Sequence, residues 1–409
     1  GIVGGGGVEA VILEYYKHIN RDKVQFDFIV HDDNKIDITE QIDAMGGRVY
    51  KVTPYYKNPI AFMIEVYHII RKYNYKIIHV NMNTLSVFSL FPAWIAKVPV
   101  RILHNHSTSS PGEAKRNILK SILRPFSKLF ATHYWACSNF AALWMYGQKV
   151  AKTDNKVTVI HNAINLEKFA FDLEKRNQLR HSLGLEGKFV VGHVGRFVFQ
   201  KNHEFLIDVF NFALQQQPNL ELMLIGDGPL KSLMQKKTKL LKINNKVKFL
   251  GIRDDVADLY NAMDVFIFPS NYEGLGMVGV EAQTNGLNVL ASTAVPLEMK
   301  CTELVKYKRL SDGVDSWGRV IVEFSKSKLG RRTSIEDLRK AGFDIKVESK
   351  RLMELYENIL QSILKIICRN GREKKMHLWC KNFIVLFLFM DLVLQQIMEL
   401  VLIPYHTFP

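Results

Sequence analysis

Asp264-Val-Phe-Ile-Phe268-Pro-Ser-Asn-Tyr-Glu273-Gly-Leu-Gly276-Met-Val-Gly-Val-Glu281-Ala282 is the stretch whose reading decides the fold. Asp264–Phe268 is a short β-branched and aromatic run, which predicts a buried strand. Pro269, Ser270 and Asn271 end it. Gly276–Asn285 predicts a helix with Gly286 just past its end, and Asn288–Ser292 predicts the next strand. Together these make a strand–loop–helix–strand unit of a parallel sheet.

The loop has specific chemistry. Gly274 and Gly276 let bare backbone approach a ligand closely. The helix behind them turns free N–H groups and the positive end of its dipole to the same place. Such a site suits an anion, yet Glu273 and Glu281 would repel a phosphate. They suit hydroxyls, because a carboxylate can accept two hydrogen bonds from a vicinal diol. A ligand with hydroxyls at both ends and phosphates in the middle is a nucleotide sugar. Either glutamate alone reads as a solvated charge; the pair around Gly274-Leu275-Gly276 reads as a site.

The stretch resembles the double-glutamate signature of retaining glycosyltransferases with the GT-B fold, and more narrowly the family-4 enzymes of bacterial capsule and exopolysaccharide biosynthesis. The resemblance runs from the first residues to about Tyr356. It implies an α/β fold of two doubly wound, parallel-sheet, Rossmann-like domains facing across a cleft. The expected division is 1–165 for the acceptor side and 166–362 for the nucleotide-sugar side, with 363–409 as an atypical tail.

Bulk properties agree with that class. A chain of 409 residues is too long for one core and suits two domains. Cys137, Cys301, Cys368 and Cys380 lack C-x-x-C spacing, so reduced thiols in a cytoplasmic protein are expected, with no disulfide framework or zinc site. The formal charge of +15 suits an anionic partner. Nucleic acid is not expected, because stacking aromatics are not interleaved with the cations. The chain opens Gly1-Ile-Val-Gly-Gly-Gly-Gly7 with no signal-peptide pattern. A glycine loop normally follows a strand, so a leading strand is expected to be missing from this sequence.

In the first domain, the resemblance places Gly5 and Gly6 of that loop against the donor diphosphate. Strand Val100–His104 leads into His104-Asn-His106-Ser. Ligands bind at such strand ends, and the family has a histidine at this loop beside the reacting sugar. His106 is the candidate and His104 the alternative. A metal pair is disfavoured, since no third ligand is near in sequence. Glu113–Phe130 carries Lys115, Arg116, Lys120, Arg124 and Lys128 on a basic amphipathic stretch, interrupted near Pro125. It either packs on the sheet with a solvated basic back or seats on anionic headgroups; the sequence leaves both open.

In the second domain, strand Phe189–Val194 runs into Gly195-Arg196 and, five residues on, Lys201. A planar fork and a mobile point charge at the mouth of a helix suit a diphosphate, and the family uses matching residues to hold it. The loop with Ile252 matches the one that lies against the nucleobase. From about Ile363 the pattern changes. Phe383–Ile403 is apolar but broken by Asp391, Gln395, Gln396 and Glu399, which reads as an out-of-frame or fused tail, with an interfacial helix as the alternative.

The implied reaction retains the anomeric configuration. Arg196, Lys201 and helix dipoles would neutralise the leaving group. Glu273 would hold the transferred sugar, Glu281 the ribose, and His106 a sugar hydroxyl or the developing positive charge. No cofactor or metal is expected, because no Asp-x-Asp stands at a strand end. The implied partners are a nucleotide sugar, a polyprenyl-diphosphate-linked saccharide acceptor and the anionic inner leaflet, on which the protein would be peripheral. A nucleotide-sugar epimerase of the same architecture and a non-catalytic partner subunit are the rival readings.

Overall fold

Continuous apolar runs such as Leu222–Ile225 and Val265–Phe268 carry no polar alternation, which marks strands covered on both faces and hence a parallel sheet. The computed structural model describes residues 7–33, 37–106, 114–153, 156–327, 330–331, 335–369 and 383–388. They form strands β1 (Val24–His31), β2 (Val49–Val52), β3 (Ile77–Val80), β4 (Val100–Asn105), β5 (His133–Ala136), β6 (Val157–Val159), β7 (Phe189–Val194), β8 (Leu220–Ile225), β9 (Val247–Gly251), β10 (Val265–Phe268), β11 (Asn288–Ser292), β12 (Val305–Lys308) and β13 (Phe383–Leu388). Two units divide them. One contains the described residues of 7–160 together with those from Ser349 onward; the other contains those of 161–348.

The second unit has a parallel sheet of order β12-β11-β10-β7-β8-β9. Its strand order reverses at β7, so the loops after β7 and β10 leave the sheet side by side at a switch point, where such sheets bind ligands. Its core includes Phe266, Phe268, Val280 and Tyr260 on one face and Leu206, Phe210, Leu224 and Trp317 on the other. Helix Met277–Thr284 begins after Gly276 at φ +92° and ends before Gly286 at φ +76°. A Cβ on Gly276 would lie 2.8 Å from the Phe268 ring, so glycine is required there by space as well as by φ.

The first unit has a parallel sheet of order β2-β1-β13-β3-β4-β5-β6. In the second unit the pivot is the strand that runs into the Gly195 loop. In the first unit the corresponding slot, between β1 and β3, is filled by β13 from the far end of the chain. It pairs with β1 from Val24↔Phe383 to Ile29↔Leu388 and with β3 from Val385↔Ile77 to Leu388↔Val80. The apolar run at 383–388, expected to be extraneous or an interfacial helix, is therefore a central strand here. Helix Ile345–Arg369 also departs from the expected division. From Ser349 on it groups with the first unit, where buried Tyr356 stacks on Trp135, so residues 349–362 do not belong with 166–348. The other boundary falls at 160/161 rather than 165/166.

Helix Ala114–Phe130 runs through Pro125 without the expected break. The hydrogen bond that proline forgoes would have gone to Ser121 on the exposed face, where water can take its place. The helix Gly313–Lys326 was not anticipated from the sequence.

Each unit buries a histidine deeply: His31 in the first and, in the second, His193, whose Nδ1 donates to Ile267 O at 2.8 Å. His31 sits among Tyr55, Tyr56 and Phe62, and its ring nitrogens have no hydrogen-bond partner. Burial pulls its pKa down to about 4, and does the same at His193. Their folded pKa lies below the unfolded value, so the unfolded state binds more protons as pH falls below about 6.5. Stability is therefore full above that pH and drops as pH descends toward 4. Each histidine should remove about 2 kcal/mol at about pH 5. Urea unfolding at a series of pH values checks this; a flat profile between 7 and 5 would contradict it.

Candidate functional site

In the second unit the two loops at the switch point are tied together. Asn271 donates its backbone N–H to Gln200 O (2.8 Å) and its side-chain amide to Phe199 O (2.7 Å). That places Glu273, 6% exposed, against the loop after β7. Its Oε1 accepts from Lys201 Nζ at 2.7 Å and Ser270 Oγ at 2.8 Å, and its Oε2 from Gln200 Nε2 at 3.0 Å. Lys201 Nζ also lies 5.2 Å from the centroid of the Phe268 ring. Lys201 and Glu273 were assigned to different parts of a ligand; the structure joins them as an ion pair 72 residues apart in sequence.

Below Lys201, His193 and His203 are buried, and burial first of all holds both far below the ordinary histidine value. They are neutral at pH 7 and leave the positive charge to Lys201 and Arg196. Arg196 is exposed at the loop's surface, and burial of part of its side chain lowers its pKa from the usual arginine value. Gly195 packs tightly: a Cβ there would meet His193 Nε2 at 3.0 Å and Lys201 Cγ at 3.1 Å. The turn after β8 contributes as well. A Cβ on Gly226 would be 2.2 Å from Gly195 O, and one on Gly228 would be 2.6 Å from Phe197 O. This second glycine pair, read from sequence only as a turn, lets one loop press on the next.

Glu281 stands on the helix after Gly276 and keeps part of its surface open. Tyr260, fully buried, donates its hydroxyl to Glu281 Oε2 at 2.8 Å. Packing raises the carboxyl pKa, and the Tyr260 hydrogen bond opposes that rise. Leu275 is 3% exposed and belongs to the core; Ile252 is 52% exposed. Gly274 lies between Glu273 and Leu275 and is half-buried.

In the first unit His104 and His106 part company. His104 Nδ1 and His79 Nε2 share a hydrogen bond of 2.9 Å, and His79 Nδ1 meets the Tyr356 hydroxyl at 2.7 Å. Burial drives both His79 and His104 well below the ordinary value, so the pair is neutral. His106 follows the end of β4, with its ring against that of His104 (centroids 4.0 Å apart). Its Nε2 meets Asn81 Oδ1 at 2.8 Å and its backbone N–H donates to Asn83 Oδ1 at 2.7 Å. The stacked, histidine-bonded His104 is a support for His106. Gly5 and Gly6 lie outside the described residues. No group of three or more His, Cys, Asp or Glu arranged to hold a metal occurs among the described residues.

Two switch-point sheets of this order, one carrying a paired-glutamate loop, define a GT-B glycosyltransferase. Comparison with known proteins agrees: the family model described as "Glycosyltransferase Family 4" matches residues 5–168, and "Glycosyl transferases group 1" matches residues 175–301. The chain belongs to the family-4 glycosyltransferases of the capsule and exopolysaccharide type. It is 29% identical over 358 residues to the putative glycosyltransferase EpsF of Bacillus subtilis, covering 86% of this chain and 93% of that one. It is 25% identical over 300 residues to an Escherichia coli UDP-Gal:alpha-D-GlcNAc-diphosphoundecaprenol alpha-1,3-galactosyltransferase, covering 70% of this chain and 76% of that one. The crystal structure of Anabaena HepE with UDP and glucose superposes with a TM-score of 0.66 at 21% identity, covering 89% of this chain and 96% of that one, which speaks for the fold.

Proposed function

We propose that this glycosyltransferase moves a sugar from a nucleotide-diphosphate sugar, with retention and without a metal, to a lipid-linked glycan acceptor. The observation that carries the donor assignment is the arrangement at the second unit's switch point. Two carboxylates with open acceptor positions stand with the cations Arg196 and Lys201 and the glycine-lined loops after β7 and β10. In this reading the cations take the diphosphate, Glu273 the transferred sugar and Glu281 the ribose, with Gly195, Gly274 and Gly276 admitting backbone and Ile252 facing the base. His106 of the first unit serves a sugar hydroxyl or the developing positive charge. The name of the E. coli relative supports a diphosphate-lipid acceptor.

A thermal-shift screen against UDP-, GDP-, ADP- and dTDP-sugars tests the donor, since a ligand that binds only the folded chain stabilises it. One nucleotide class should raise the melting temperature, and no response from any would end this reading. Replacing Arg196 by Ala should then weaken the diphosphate about tenfold to a hundredfold and the free nucleoside little. Equal losses in calorimetry would separate Arg196 from the phosphates. Transfer should persist in excess chelator; abolition reversed specifically by Mg²⁺ or Mn²⁺ would refute the metal-free mechanism.

The reading extends to the membrane surface. Helix Ala114–Phe130 turns its apolar side outward: Ile118, Leu119, Ile122, Phe126 and Leu129 are all exposed, the last by 70%, while Leu123 and Phe130 pack on the core. Apolar side chains flanked by cations suit an anionic lipid surface. Among the described residues no helix is long and apolar enough to cross a membrane. The full chain should float with anionic liposomes at low salt and lose them as salt rises. Ile118, Ile122 and Leu129 changed together to Ser should abolish flotation. Equal binding by that variant would show the helix to be a solvated face.

A further inference from the structure

His106 is held by two asparagines of the loop after β3, and the register of the sheet puts them there. β3 pairs with β4 at an offset of 23 residues, from Ile77↔Val100 to Val80↔Leu103. Carried past the strand end, the same offset brings Asn83 level with His106. Asn83 sits at φ +51°, a left-handed conformation that asparagine tolerates better than most residues. Its Oδ1 accepts from the His106 backbone N–H at 2.7 Å. Asn81, 1% exposed, takes the ring: its Oδ1 meets His106 Nε2 at 2.8 Å. The ring rests against that of His104, which burial keeps neutral and His79 holds at 2.9 Å.

The Asn81 amide is not explained by stability. Its Nδ2 is buried with no hydrogen-bond partner among the described residues, and a buried donor left open costs stability. What the side chain supplies is an acceptor at one nitrogen of one ring. A carbonyl oxygen only accepts, so the proton between Oδ1 and Nε2 belongs to His106.

We propose, resting on the reading of His106 given above, that Asn81 and Asn83 are its positioning residues. Asn83 fixes the backbone. Asn81 fixes the plane of the ring and keeps the proton of the neutral imidazole on Nε2. The lone pair is then on Nδ1, so a sugar hydroxyl that donates to the ring meets that nitrogen. The neutral His104 beneath puts no charge against a positive charge developing nearby. Without the Asn81 acceptor both tautomers become accessible, and only part of the molecules present the right nitrogen.

The test is a long-range ¹H–¹⁵N correlation spectrum of the full chain labelled at histidine, taken at about pH 8, where an ordinary histidine is neutral. The His106 signals are those absent from His106→Gln. They should show one tautomer, protonated at Nε2. Asn81→Leu should lose that preference, and Asn81→Asp, which keeps an acceptor oxygen, should restore it. Turnover should follow the tautomer. Release of nucleoside diphosphate from the nucleotide sugar that gives the largest thermal shift should fall about a hundredfold in Asn81→Leu at unchanged KM, and recover in large part in Asn81→Asp. Packing alone would give the reverse order, since a carboxylate is the harder group to bury. A ring protonated at Nδ1 in the unaltered chain, or a tautomer that Asn81→Leu leaves in place, would overturn the inference while the reading of His106 stands; the first of these needs no variant to fold. Wild-type turnover in His106→Gln would remove both.

Discussion

Deleting residues 370–409 is expected to unfold the first unit. β13 is the middle strand of its sheet, paired over six positions with β1 and over four with β3. Strands lie about 4.8 Å apart, so its removal leaves a gap of about 10 Å between β1 and β3. The facing N–H and C=O groups of both strands then lose their partners in the interior of the sheet. Each buried, unpaired group costs about 1–3 kcal/mol, and several together exceed the roughly 5–15 kcal/mol by which a domain is stable. A subtler variant keeps the length. In a parallel strand successive residues bond alternate neighbours, so Val385→Pro with Leu386→Pro removes one ladder bond on each side. Urea unfolding followed by circular dichroism should show the loss in both variants. An unchanged transition in both would mean that the sheet closes without the tail.

The second large effect is expected at Lys201. Its ammonium and the Glu273 carboxylate are paired at 2.7 Å with side-chain exposures of 16% and 7%. Removing one partner of a buried pair leaves an uncompensated charge, at about 3–5 kcal/mol. Lys201→Ala should therefore destabilise the second unit by that order, and Glu273→Gln in the same chain should restore most of the loss by removing the charge. Transfer should be lost in the single variant and stay lost in the double one, because in the proposed mechanism Lys201 faces the leaving diphosphate. Unfolding curves and initial rates on the two variants check this. Wild-type stability in Lys201→Ala would show the pair to be incidental, and restored turnover in the double variant would show that Lys201 acts only through folding.

Much of the molecule follows from local chemistry. Buried parallel strands announce themselves as continuous apolar runs, and glycines mark where helices begin and end, so β7, β8 and β10, the helix Met277–Thr284 and its flanking Gly276 and Gly286 were legible. The helix Gly313–Lys326 carried the same kind of signal in Trp317, Val320, Ile321 and Phe324, at spacings of three and four. The spacing of Glu273 and Glu281 and the cations after β7 marked a candidate site, because loops at strand ends are local too.

What each side chain meets was decided by the tertiary structure. Lys201 reaches Glu273, Tyr260 reaches Glu281 and Tyr356 reaches His79 across 72, 21 and 277 residues, and residue type alone does not select such partners. Periodicity showed that the helix Ala114–Phe130 has an apolar side but not what covers it; that side stays exposed. The slot between β1 and β3 is the clearest case. A parallel strand is held by backbone hydrogen bonds that any apolar segment can offer, so which segment takes the slot depends on what the rest of the sheet leaves open, and here that segment is Phe383–Leu388.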